Sequence, residues 1–382
     1  MKLSSERILT THVGSLPRTG PVADLLLAKE LGAPYDAEEF RRVVRQATLD
    51  VVKRQAVLGI DVVSDGETAK IGYATYIKDR LSGFGGENTV KPHLDMAPHP
   101  ELRKRMTAFT GPQSFKRLCC VGPVALRDRQ AAQTDIANFK AAIAAAKPID
   151  AFMNAASPGI VASFQPNKFY SSHEQYIEAV ANAMQPEYEA IAAAGFILQI
   201  DCPDLAMSRH TGFQELSEAQ FLDRASLHVE VMNHALRNIP AAALRMHICW
   251  GNYEGPHDRD IDLQKIIAIV LQAKPQAISF EASNPRHAHE WTVWRDAKLP
   301  DHKVLLPGVL DTSTNFVEHP ELVAQRIERF ADIVGRERVL ASTDCGFGSF
   351  AGYGKVDPDI AYKKLKSLVE GAALASKRLW SS

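Results

Sequence analysis

The chain has 382 residues, 44 basic against 45 acidic side chains and 46% hydrophobic residues, so it can bury a large core without disulfides or metal staples. A net charge of −1 supplies no electrostatic footprint for nucleic acid, and no segment reaches the roughly 18 uninterrupted apolar residues of a membrane span. The N-terminal MKLSSERILTTHVGS has no apolar leader core and five cysteines cannot all pair, which together predict a reducing, cytoplasmic setting.

Short apolar runs ending in turn or polar residues recur along the chain at 8–17 (ILTTHVGSLP), 61–67 (DVVSDGE), 118–123 (LCCVGP), 151–157 (AFMNAAS) and 196–203 (FILQIDCP). They continue at 244–250 (LRMHICW), 277–283 (AISFEAS), 304–311 (VLLPGVLD) and 339–345 (VLASTDC). Helix-length stretches with apolar spacing of three and four separate most of them, the alternation of βα units around a parallel sheet. With no linker of Pro, Gly and Ser dividing the chain, this predicts one α/β domain over 1–382, a (β/α)8 TIM barrel. Nine runs exceed eight strands by one, and 118–123 is assigned outside the barrel. It adjoins 72–116, rich in Gly, Pro and charge, which reads as an insertion near the barrel mouth.

Helix edges are legible as well. Ser171 with Glu174, and Ser217 with Gln220, have capping-box spacing, and Gly195 suits a helix C-terminus. Pro186 should kink the intervening helix or break it in two.

Reactive residues fall at the strand ends. His247 and Cys249 sit two apart on one run, Glu281 near the end of the next, and Cys345 at the end of the last. In a parallel barrel those ends share one rim, and residues two apart on a strand point the same way. One imidazole, two thiolates and a carboxylate suit tetrahedral zinc. Spacing alone leaves a second reading open, because a cysteine on an apolar strand is equally a small core residue.

The words THVGSLPRT, DVVSDGE, QIDCP, MHIC, ISFEAS, PGVLD and STDCGFG, in that order, resemble the catalytic C-terminal barrel of the cobalamin-independent methionine synthase family. The likeness runs from about Leu9 to the final helix. It implies a methyltransferase fold related to uroporphyrinogen decarboxylase, with Zn2+ held by His247, Cys249, Glu281 and Cys345, Glu281 being the ligand most readily displaced. It places Glu67 and Asp201 at the homocysteine ammonium, Ser15 at its carboxylate, and Glu281 and Asp311 among the catalytic groups. The implied partners are a small-molecule thiol and a methyl donor, either methyltetrahydrofolate or a methylcorrinoid or other methyl compound. Self-association is left open.

Departures from that pattern bear on the substrate. Where the family has a proton-transferring histidine, this chain reads Asp311-Thr312-Ser313, and threonine does not titrate near pH 7. His257, His287 and His289 are candidate stand-ins, otherwise exposed polar side chains of loops and helix starts. Phe164 is the aromatic residue nearest the family's folate-stacking tryptophan. Trp291 and Trp294 read as packing residues of one helix face, and the glycine-rich GFGSFAGYG after Cys345 as a flexible lid. Two other functions fit the same barrel. One is an epoxyalkane:coenzyme M transferase-like enzyme, which would need a cation for the sulfonate, Arg18 and Lys70 being nearest in sequence. The other is a non-catalytic binding module stapled by zinc.

Overall fold

The computed structural model describes residues 1–89, 91–110 and 116–381, so Val90 and residues 111–115 of the expected insertion lie outside it. In chain order the strands are β1 (Leu9–Thr10), β2 (Val62–Ser64), β3 (Phe84–Gly85), β4 (Cys119–Cys120), β5 (Asp150–Ala156), β6 (Ile197–Asp201), β7 (Leu244–Ile248), β8 (Ala277–Phe280), β9 (Val304–Leu310) and β10 (Leu340–Thr343). Eight of them form one parallel sheet in the order β1-β10-β9-β8-β7-β6-β5-β2. The Asp61 N–H donates to the Thr10 carbonyl at 3.2 Å and the Thr11 hydroxyl to the Val62 carbonyl at 3.0 Å, joining the two ends of the sheet. The fold is a (β/α)8-type barrel.

The ninth run belongs elsewhere, as its sequence position suggests. β4 pairs antiparallel with β3 in a separate two-stranded ribbon, Phe84 against Cys120. Inside the barrel, Leu9, Val62, Phe152, Ile197, Ala277, Val304, Leu306 and Leu340 form a small inner cluster, while a much larger one lies between sheet and helices. Arg245 of β7 is fully buried with its guanidinium 3.6 Å from the Phe152 ring, its donors satisfied by Gln199, Thr11 and the His12 carbonyl.

Two local expectations need correction. The cap of helix His173–Ala193 is Ser172, whose hydroxyl accepts from the Gln175 N–H; Ser171 instead donates to the Gln175 side chain. Of the kink or break expected at Pro186, the break does not occur: one helix runs through it. Buried Tyr176, Ile177, Val180, Met184, Tyr188 and Ile191 anchor it on both sides of the proline, and their packing outweighs a local cost of about 3 kcal/mol. Ser217 and Gln220 do form a complete capping box, and Gly195 takes a left-handed φ of 90° after its helix.

Candidate metal and substrate site

Each parallel strand delivers its last residues to the same rim, and the chemistry gathers there. His247 lies on β7 with Cys249 one residue past its end, and Cys345 follows β10 by two. Their donor atoms lie within 4.8 Å of one another, with the two sulfurs 3.8 Å apart. Two thiolate sulfurs, each about 2.3 Å from a tetrahedral ion, also stand about 3.8 Å apart. Both ring nitrogens of His247 are buried without a hydrogen-bond partner among the described residues, and burial pushes its pKa down to about 3. A neutral imidazole with open lone pairs is the form that binds metal. The Cys345 thiol beside it, together with burial, pushes the Cys249 thiol well up, and its sulfur accepts from the Gly251 N–H at 3.2 Å. A soft, dehydrated donor set of this kind fits a thiophilic divalent ion.

Glu281, directly after β8, stands beside this set. Its Oε1 accepts the Trp250 N–H at 2.8 Å and its Oε2 the Asn284 amide at 2.6 Å. Asp344 shapes that corner, its carboxylate accepting the N–H groups of Ala282, Ser283 and Asn284 at 2.8–2.9 Å.

A cavity of about 710 Å³ opens over the rim, lined by Ser15, Glu67, Asp201, His247, Cys249 and Cys345 among others. Glu281 and Asp311 do not line it. Asp311 is turned into its own loop, where Ser313 and Thr314 hydrogen-bond its two oxygens at 2.6–3.0 Å. Thr312 does face the cavity and donates to the Asn252 side chain at 3.2 Å.

The same cavity is lined by two buried carboxyls. Burial pushes Glu67 up to about 7, partly offset by Lys70 and reinforced by Asp201, and its Oε2 has no hydrogen-bond partner among the described residues. Glu67 adopts φ 55°, held by its N–H donating to Asp65 Oδ1 at 3.0 Å. Burial raises Asp201 to about 6, against hydrogen bonds from the Asn154 and Gln199 amides. A buried carboxyl with one unpartnered oxygen beside a second, hydrogen-bonded one suits a cation. Ser15 is tucked under the glycine-rich run: its carbonyl accepts the Phe347 N–H at 2.8 Å, and a Cβ at Gly346 would stand 1.9 Å from its hydroxyl. That run is stitched to the rim, with Ala351 N–H on the Ile71 carbonyl and Tyr73 N–H on that of Ser349, and forms a wall of the cavity.

The histidine stand-ins are not exposed loop residues, with the exception of His289. His257 and His287 are buried on either side of Asp260 Oδ2, at 2.8 and 2.9 Å, and His287 also meets Glu290 at 2.9 Å. An imidazole with a carboxylate at each nitrogen is held doubly protonated, and its pKa is pushed up to about 10 against the effect of burial. Trp250 stacks on it at 4.3 Å. This cluster supports the loop after β7 and does not line the cavity.

Several lining residues carried no signal in the sequence. Tyr73, Phe164 and Phe350 meet with ring centroids 5.6–6.4 Å apart, and Asn252, Tyr253 and Lys355 complete the wall. Phe164 was visible from its position, but its two partners come from the insertion and the last loop. Of the remaining cysteines, Cys119, Cys120 and Cys202 are buried thiols away from the sulfur pair.

Comparison with known proteins places the chain in one family. The chain is 24% identical over 374 residues to a methionine synthase of Thermococcus kodakarensis, covering 97% of this chain and 94% of that one. A methionine synthase of Saccharolobus solfataricus is also 24% identical, covering 97% and 95%. Among solved structures, a B12-independent methionine synthase from a Shewanella species, in complex with selenomethionine, superposes with a TM-score of 0.75 at 18% identity, covering 98% of this chain and all of that one. A putative vitamin-B12 independent methionine synthase from Listeria monocytogenes gives a TM-score of 0.65 at 17% identity over 96% of this chain and 98% of its own. The family model described as cobalamin-independent synthase, catalytic domain, matches residues 8–91 and 110–372, and the chain belongs to that family.

Proposed function

We propose that this protein is a zinc-dependent S-methyltransferase that methylates the sulfur of homocysteine to give methionine. The observation that carries the reading is the convergence of His247, Cys249 and Cys345 in a cavity that Glu67 and Asp201 also line. His247, Cys249 and Cys345 would hold the zinc, with Glu281 released from Trp250 and Asn284 as a fourth ligand. Zinc bound there keeps a substrate sulfur as thiolate at neutral pH, where a free thiol of pKa about 8.5 is only a few per cent ionised.

The chain's own residues do the rest. Glu67 and Asp201 bind the substrate ammonium, which orients the sulfur toward the donor set and favours ionisation of both carboxyls. Ser15 closes the same end. Tyr73, Phe164 and Phe350 offer flat apolar faces to the methyl carrier, a methylated folate or a methylcorrinoid or other methyl compound. Asp311 holds the turn that presents Thr312, and with no imidazole at that position the proton route passes through other groups.

The experiment is metal analysis of the purified protein with mass spectrometry for methionine after incubation with homocysteine and a panel of methyl donors. Roughly one zinc per chain is expected, with loss of both metal and methionine formation in Cys345→Ser. Methionine formation by metal-free protein overturns the reading.

A further inference from the structure

A second cluster of metal-type donors shares no residue with the sulfur set. His93 and Asp95 lie two apart in the turn of residues 93–97, where the Met96 and Ala97 N–H groups donate to the His93 carbonyl at 3.0 and 2.9 Å. His210 comes from the segment after β6. The Leu94 N–H donates to the His210 carbonyl at 3.0 Å, and the Gln214 side-chain amide donates to the carbonyls of Pro92 and His210 at 2.9 and 3.1 Å, so the two segments are tied together at this point. Donor atoms of His93, Asp95 and His210 all lie within 4.8 Å of one another.

These donors are buried and incompletely used. Asp95 is 1% exposed and His210 is fully buried. Asp95 Oδ2 accepts the Tyr253 hydroxyl at 2.6 Å and the His257 N–H at 3.1 Å, while its Oδ1 has no hydrogen-bond partner among the described residues. One carboxylate oxygen fixed by two donors with the other left open is the arrangement that orients a metal-ligating carboxylate. His210 Nε2 stands 3.2 Å from the Tyr253 hydroxyl, and its Nδ1 stands 3.3 Å from Asp260 Oδ1 without forming a hydrogen bond. Asp260 is committed through its other oxygen to His257 and His287 at 2.8 and 2.9 Å, which leaves Asp95 as the carboxylate on offer. Burial holds His93 down at about 4 and lowers His210 as well, so both imidazoles are neutral at pH 7, the form that binds metal.

We propose that His93, Asp95 and His210 form a second metal site, free of thiolate, for a divalent first-row ion such as Zn2+, Co2+ or Mn2+. Two imidazoles and a carboxylate are borderline to hard donors, so this site should hold zinc less tightly than the sulfur set does. His93 and Tyr253 also line the cavity, and an ion bound here fixes the 93–97 turn to the barrel at the cavity wall. Three protein donors leave a coordination position for the Tyr253 oxygen, a water or a bound molecule. The site stands independently of the thiol-methylation reading.

The test titrates the zinc-loaded full chain with Co2+ and compares wild type with His93→Ala and Asp95→Asn. Equilibrium dialysis and elemental analysis count both metals. The cobalt spectrum identifies the donors, since thiolate ligands add an intense sulfur-to-cobalt charge-transfer band that nitrogen and oxygen ligands lack. Wild type should take up about one Co2+ per chain beyond its zinc, with ligand-field bands and no charge-transfer band. Both variants should keep their zinc and bind cobalt about a hundredfold more weakly. His93 is partly exposed and Asp95→Asn preserves shape, so zinc retention in both separates loss of a ligand from misfolding. A purely structural hydrogen-bonding cluster would leave cobalt uptake unchanged in His93→Ala. That outcome, no cobalt uptake by wild type, or uptake only with the charge-transfer band overturns the second site.

Discussion

At the residue scale, the site is built from groups whose ordinary ionisation has been displaced by burial. Glu67 and Asp201 stand at about 7 and about 6, where free carboxyls titrate near 4. An acid whose pKa is raised in the folded state stabilises the fold only while it holds its proton, and that stability is lost as pH rises toward 7. A substrate ammonium reverses the balance by favouring the ionised pair. Homocysteine affinity should therefore fall as pH drops through 7 to 6, measured as a Kd profile. Glu67→Gln should flatten that profile and weaken binding, yet raise unfolding stability above pH 7 by about 1–2 kcal/mol in urea denaturation. The strand-end rule found His247, Cys249, Glu281 and Cys345 from sequence because a parallel barrel sends every strand end to one rim, while Glu67 and Asp201 came from the family resemblance. It could not find Asn154 or Asp344, whose work is to hydrogen-bond groups distant in sequence, and it could not show that Glu281 is occupied by Trp250 and Asn284.

At the element scale, the close approach of β9 and β10 decides how the corner around Glu281 and Asp344 is held. Gly308 sits where a Cβ would lie 2.1 Å from Asp344 Oδ1 and 2.5 Å from its Cα, beside the register shift between Ser342 and Thr343. Backbone cannot yield as the end of a side chain can, so Gly308→Ala should displace Asp344 and free the three N–H groups of residues 282–284. The expected cost is about 1–3 kcal/mol by chemical denaturation, with weakened zinc retention in the same variant. Helix His173–Ala193 shows the opposite balance, where packing on both sides overrides a proline that local rules treat as a stop. A cap shifted by one residue, Ser172 for Ser171, lies within the ordinary spread of helix boundaries, because adjacent serines offer the same hydroxyl.

At the scale of the whole molecule, the segment after β2 is bound to the barrel by buried charge. Arg80 meets Asp135 at 2.5 Å and Glu187 at 2.8 Å, each from a different barrel helix, and Lys78 meets Glu30 at 2.7 Å; Asp135 is half-buried and the other four are buried. Replacing Arg80 strips the cation from two carboxylates, Glu187 keeping only the Tyr76 hydroxyl, so Arg80→Met should destabilise the protein by about 3–5 kcal/mol, read from the urea midpoint. Residues 88–107 of the same segment contribute Asn88, His93, Met96 and Arg103 to the cavity wall, which is how an insertion becomes part of the site.

The sequence by itself determined the alternation of strands and helices, the strand left outside the barrel and the group of sulfur, imidazole and carboxyl residues at the rim, because hydrophobic period and strand-end position are local properties of the chain. Only the tertiary structure decided which of those groups share a cavity, that Glu67 Oε2 is left without a hydrogen-bond partner among the described residues, and that Glu281 is engaged by Trp250 and Asn284. Burial and hydrogen bonding depend on what every other segment brings to the same place, and no local pattern encodes that.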